Sequence, residues 1–166
     1  MSEVGGSIIG VRGKGSIAMS ECKFEWFSAY IGACLAECYE GVPPVDDDGD
    51  WVINWVPGTI WVRAEMRPRW AAEVFAYAAH GVKPRAAALR EVNDLNMRLC
   101  TASVYIAPSG TVTVRQRLVA AAVDGDTIGQ AIASVGNVAE DVGMLMAGMF
   151  DGHAPFVVDT ADAEGT

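Results

Sequence analysis

The chain has 166 residues, 51% of them hydrophobic and 20% charged, which suits one soluble globular domain with a sizeable core and excludes a disordered chain. Its net charge of −9 argues against nucleic acid as a partner, because displacing counterions from phosphates needs cationic surface. No apolar run approaches the roughly 20 residues a membrane-spanning helix requires, so no membrane association is expected.

The first residues, 1–19, are rich in glycine and read as a flexible or edge-strand arm. Their one apolar run, Ser7 to Val11, is too short for a signal-peptide core, and the expected location is cytoplasmic. Gly13-Lys14-Gly15-Ser16-Ile17-Ala18 matches a GxGxxA dinucleotide fingerprint in letters only, because no βαβ pattern surrounds it.

From Ser20 to Glu40 the pattern is helical, with Ser20 as N-cap. Phe24, Phe27, Ile31, Leu35 and Cys38 form one apolar stripe. Trp26 and Tyr30 fall on a neighbouring face and are read as core. Gly41 and Pro43-Pro44 stop the helix. Asp46-Asp47-Asp48-Gly49-Asp50 fails as a calcium loop, since Trp51 and Pro57 stand where an EF-hand needs glycine and glutamate; it reads as a solvated turn.

Three strands are expected next, over Trp51–Val56, Thr59–Met66 and Trp70–Ala79, with a type II turn at Pro57-Gly58. Alternation in the second sets Ile60, Val62, Ala64 and Met66 against Trp61, Arg63 and Glu65. The third is rich in alanine, but Val74, Phe75 and Tyr77 favour a strand. A second helix opens with Pro84 at its first position and runs to about Leu99, with Leu89, Val92, Leu95, Asn96 and Leu99 on one face. A hairpin turned at Pro108-Ser109-Gly110 joins strands over 102–107 and 111–119. In the latter, Val112, Val114 and Leu118 oppose Thr111, Thr113, Arg115 and Arg117. The last helix, about Thr127–Phe150, is capped by Asp124-Gly125-Asp126-Thr127 and buries Ile128, Ile132, Val135, Val142, Leu145 and Met149. Gly129, Gly136 and Gly143 line up along it and call for a closely packed backbone. Residues 151–166 read as a loose acidic tail.

This order, α-β-β-β-α-β-β-α, joins three local features: Asp48-Gly49-Asp50-Trp51 before the first strand, Val92-Asn93-Asp94-Leu95-Asn96 in the second helix, and the hairpin ending at Arg117-Leu118. Together they resemble the class I type III secretion chaperones, including the CesT type, and YbjN-like proteins, actinobacterial ones in particular. The likeness spans roughly residues 20–150, which are taken as the domain. It implies an α+β fold with an antiparallel sheet covered by helices mainly on one face. It also implies a bacterial, non-catalytic homodimer that binds a protein or peptide client, with no cofactor.

No short motif of that family transfers residue by residue. The expected client site is therefore the uncovered sheet face, bearing Trp61, Arg63, Phe75, Tyr77, Tyr105, Arg115 and Arg117, residue types enriched where proteins grip partners; the alternative is that a dimer partner or the N-terminal arm covers this face. Asn93 and Asn96 are expected to cap backbone or bridge to a strand. Dimer contacts are assigned to the second helix, through Leu95, Leu99 and Met97, with its neighbouring strands; the glycine line of the last helix offers a further groove, which the first helix of the same chain could fill instead. Cys22, Cys34, Cys38 and Cys100 lack metal-site spacing and read as small buried hydrophobes. An alternative stays open: a small-molecule-binding or enzymatic α+β domain with a pocket near Cys34, Cys38 and His80. No nucleophile–base pair or metal motif supports it.

Overall fold

Alternating apolar residues from Trp51 to Val119 build a sheet with one dry face. The computed structural model describes residues 14–56, 58–66 and 68–155, with side chains from Lys23 onward. Helix α1 (Lys14–Cys38) precedes strands β1 (Trp51–Trp55), β2 (Gly58–Glu65) and β3 (Ala71–Ala79). Helix α2 (Ala86–Arg98), the hairpin β4 (Ser103–Ile106) and β5 (Val112–Val119), and helix α3 (Gly125–Phe150) follow. The five strands are antiparallel in the order β1-β2-β3-β5-β4, so the hairpin lies beside β3 and both β1 and β4 are edges. This is the α+β architecture that the element order implied.

Ile60 and Val62 of β2, Ala72, Val74 and Ala76 of β3, Val104 of β4 and Val112 and Val114 of β5 face the helices. There they join Phe27, Ile31 and Leu35 of α1, Val92 and Leu95 of α2, and Ile128, Ile132, Val135 and Val142 of α3 in one core. The alanines of β3 explain why that strand imitates a helix: α3 crosses directly over it and small side chains permit the approach.

The glycine line has the same cause. A methyl on Gly143 would clash with the Ala78 carbonyl oxygen, and one on Gly136 with the edge of the Trp55 indole. Gly129 faces the Cys38 sulfur. Of the two occupants the spacing allowed, the groove takes the same chain: α1 at Gly129, and also β1 at Gly136 and β3 at Gly143, rather than a second copy.

Several ends differ from expectation. Helix α1 begins by Lys14, so Ser20 lies within it and residues 14–19 are helical rather than arm; residues 1–13 lie outside the described residues. Gly58 pairs with Trp55 as the first residue of β2 instead of closing the turn; Pro57 lies outside the described residues. Arg85, not Ser or Asp, is the N-cap of α2, leaving Pro84 ahead of the helix, and Ala88 rather than Leu89 completes its buried stripe. Asp124 caps α3 in a reciprocal box with Thr127. Met146 takes the core place assigned to Met149, which is exposed.

Beyond α3 the chain does not leave the fold at once. His153 exchanges both backbone hydrogen bonds with His80, so residues 152–153 are docked; residues 156–166 lie outside the described residues.

Candidate partner-binding face

The strand registers place all seven expected site residues on the sheet face away from the helices. Trp61 stands opposite Phe75, Phe75 opposite Arg115, and Glu73 opposite both Arg63 and Arg117. Tyr77 and Tyr105 both lie opposite Thr113. Among the described residues, no helix covers this face.

Its centre is an aromatic cluster. Trp61 stacks on Phe75 with ring centroids 5.8 Å apart and meets Tyr77 at 5.0 Å, while Phe75 and Tyr77 meet edge-on at 5.9 Å. The Arg63 guanidinium lies 4.9 Å above the Phe75 ring, and that of Arg115 lies 5.1 Å from the Tyr105 ring. Phe75 is therefore only 6% exposed, although no element among the described residues covers it. It serves as the floor on which Trp61 and Arg63 rest, and Tyr105, at 41%, is the most open aromatic of the group.

The arginines are not free. Arg63 grips Asp50 through two nitrogens, with Nε 2.8 Å from one carboxylate oxygen. Arg115 pairs with Glu73 at 3.1 Å, and Arg117 pairs with Glu65. Three cations thus meet three acids, and the face carries little net charge despite its arginines. Burial, and then the neighbouring Glu65 carboxylate, push the Glu73 carboxyl above its ordinary range against the pull of Arg115.

Asp50 was the residue missed. Read as the end of a solvated turn, it is 3% exposed. The Asp46 side chain, accepting from the backbone N–H groups of Asp48 and Asp50 at 3.0 Å each, folds the turn so that Asp50 enters the sheet face. Only the strand register, which sets β1 beside β2 and brings Asp50 to Arg63, reveals that role.

Asn96 does bridge to a strand. Its amide donates to the Val104 carbonyl at 2.9 Å and accepts from the Val104 N–H at 2.8 Å, imitating a neighbouring strand on the outer edge of β4. Asn93 is exposed.

Outside the sheet face, α1 displays Trp26, 66% exposed and stacked on Tyr30 at 5.7 Å, so neither ring takes the core place expected of it. Tyr30 is held in place by donating its hydroxyl to the Val123 carbonyl at 3.0 Å. Helix α2 leaves Met97 81% exposed, and Leu95, Leu99, Val138, Val142 and Leu145 line a groove of about 390 Å³ between α2 and α3.

The residues named for the alternative pocket do not meet. Cys34 and Cys38 lie at the N-terminal end of α3, where Cys38 donates to the Gly125 carbonyl at 3.0 Å, whereas His80 pairs with His153 beyond its C-terminal end. Burial pushes the Cys34 thiol above its ordinary range. Only Cys34 is buried; Cys38 and Cys100 are exposed, contrary to the expectation for these thiols, and the Cys22 side chain lies outside the described residues. No group of three or more metal-ligating side chains occurs among the described residues, and no helix there is long and apolar enough to cross a membrane.

Residues 25–158 match the family described as T3SS (YopN, CesT) and YbjN peptide-binding chaperone 1, and the chain belongs to that family. Solved structures agree on the fold. A chain of the ExsC–ExsE complex is similar at TM-score 0.57 and 10% identity, over 74% of this chain and 95% of that one. A chain of the HopA1–SchA chaperone–effector complex gives TM-score 0.58 and 7% identity, over 72% and 94%. The Yersinia pestis type III secretion chaperone SycH, in complex with a fragment of YscM2, gives TM-score 0.50 and 11% identity, over 72% and 98%. No curated protein gives a significant match. The family is described by peptide binding rather than by a reaction.

Proposed function

We propose that the protein is a non-catalytic chaperone that holds an extended segment of a partner protein against the open sheet face. The observation that carries this reading is the aromatic cluster of Trp61, Phe75 and Tyr77, flanked by Tyr105 and uncovered among the described residues, on a sheet whose other face is packed by helices. Because Arg63, Arg115 and Arg117 are each matched by an acid, the face favours an apolar or aromatic segment over an acidic or phosphorylated one. Membership of a peptide-binding family supports the class of ligand.

The reading is tested by capturing partners on the tagged chain from its native lysate and synthesising the bound segment as a peptide. Its affinity is then measured for wild type and Trp61→Ala/Tyr105→Ala by titration calorimetry. At least a tenfold loss is expected; an unchanged affinity rejects this face as the site.

The same reading takes the working form to be a cytoplasmic homodimer joined mainly through α2 and its neighbouring strands. Met97, the half-exposed Leu89 and the α2–α3 groove support it, because a helix that is apolar on more than one side is buried on more than one side. Since Asn96 occupies the middle of the β4 edge, such pairing proceeds through helix surface rather than by joining two sheets.

A further inference from the structure

The chain contains only two histidines, and the fold sets them side by side. His80 follows β3 and His153 follows α3. Their backbones exchange both hydrogen bonds, at 2.8 and 2.9 Å, as directly opposite residues of an antiparallel bridge. Opposite residues of such a pair project their side chains to the same side. The two imidazole centroids are 5.4 Å apart, with the ring planes tilted by 34°.

We propose that His80 and His153 form a two-imidazole site for a late first-row divalent cation of the nickel, copper and zinc type, which clasps the segment after α3 to the end of β3. The spacing is what such an ion needs. Metal–nitrogen bonds of about 2.0–2.1 Å, with each nitrogen roughly 1.1 Å from its ring centre, hold two imidazoles on a tetrahedral ion with centroids about 5 Å apart. Neutral imidazole is the preferred protein ligand of these ions, and Mg and Mn ions prefer oxygen.

The backbone keeps the two ligands in place before any ion arrives. Asp151 ends α3 in the left-handed conformation at φ 57°, turning the chain back toward β3. Gly152 then passes so close that a methyl there would stand 2.8 Å from the His80 carbonyl oxygen and 2.7 Å from the Val82 side chain. On the other strand Gly81, at φ 75°, bends the backbone away directly after His80 and faces the Nδ1 of His153. His153 is exposed and His80 half-buried, so water completes the coordination sphere and the ion exchanges with solvent. The nearby charges are mixed: Lys83 and Arg85 share a crevice with Asp151. With no third protein ligand among the described residues, binding is reversible rather than structural.

An ion held by both histidines in the folded chain binds the native state preferentially and so raises its stability. Thermal unfolding of the full chain with increasing Ni(II) tests this, on wild type and on His80→Gln and His153→Gln. Saturating Ni(II) is expected to raise the wild-type midpoint by about 3 °C or more. Each substitution should weaken the response at least tenfold, and Mg(II) should be without effect. A wild-type midpoint that ignores Ni(II), or an equal rise in either variant as binding at Cys38 or Cys100 would give, overturns the proposal. Substoichiometric Cu(II) reads the site without substitution: it should broaden the imidazole NMR signals of both histidines first, and broadening that begins elsewhere also overturns it.

Discussion

Asp50 brings its carboxylate into a place where 4% of its side chain reaches water, and Arg63 compensates it. Removing one partner of such a pair strands the other charge. Arg63→Ala is therefore expected to lower stability by about 3 kcal/mol, more than Asp50→Asn, because the Arg63 side chain is 40% exposed and can be solvated alone. Urea unfolding of the two variants checks the order. Arg63 is thus a poor probe of binding, since its loss disturbs the floor of the face, whereas Trp61 and Tyr105 can be truncated above it. Glu73 behaves oppositely. Its folded carboxyl is raised above its ordinary value of 4.5 by burial and by Glu65, so the native state carries a penalty at every pH where Glu73 is ionised. Glu73→Gln is expected to unfold at higher urea than wild type at neutral pH, with the difference shrinking as acid protonates wild-type Glu73 and vanishing only below the ordinary value of 4.5. A variant weaker than wild type at pH 7 would mean that the Arg115 pair outweighs the burial.

At the scale of elements, strand alternation was the clearest signal in the chain, since one packed face and one open face force a period of two. It told which side of β2 and β5 carries the candidate site. Helix ends were less legible: Ser20 has capping chemistry but lies inside α1, while Arg85 caps α2 without a side-chain bond. Tertiary packing rather than local capping chooses those boundaries. The three glycines of α3 were visible by spacing, but what fills the groove was not, because Trp55 and Ala78 reach it only through the sheet. Substitution separates the contributions. Gly143→Ala drives a methyl into a backbone carbonyl and should cost about 2–3 kcal/mol despite the better helix former. Gly148→Ala meets open space and should gain about 0.5–1 kcal/mol. Equal effects in thermal unfolding would refute the close approach of α3 to β3. Asn96→Ala removes both bonds to the edge of β4 and should cost about 1–2 kcal/mol. With that edge bare, it should also increase self-association in light scattering at high concentration.

At the scale of the whole molecule, the two faces of the one sheet differ. Helices α1, α2 and α3 bury one face, and the other displays aromatic rings among neutralised charges, so the acidity of the chain lies largely elsewhere. The residue types of the candidate site were legible in the sequence, because alternation assigns them to one face. The ion pairs that silence its arginines were not, because each partner arrives from a different strand or turn. For the assembled state, light scattering behind a sizing column at tens of micromolar should give twice the 17.6 kDa chain mass, and a mass near 17.6 kDa would remove the dimer. The most direct test of the account remains the affinity of the captured client peptide for wild type against Trp61→Ala/Tyr105→Ala, with both proteins shown to be equally folded. The account expects binding to weaken at least tenfold with the fold intact; equal affinity would contradict it.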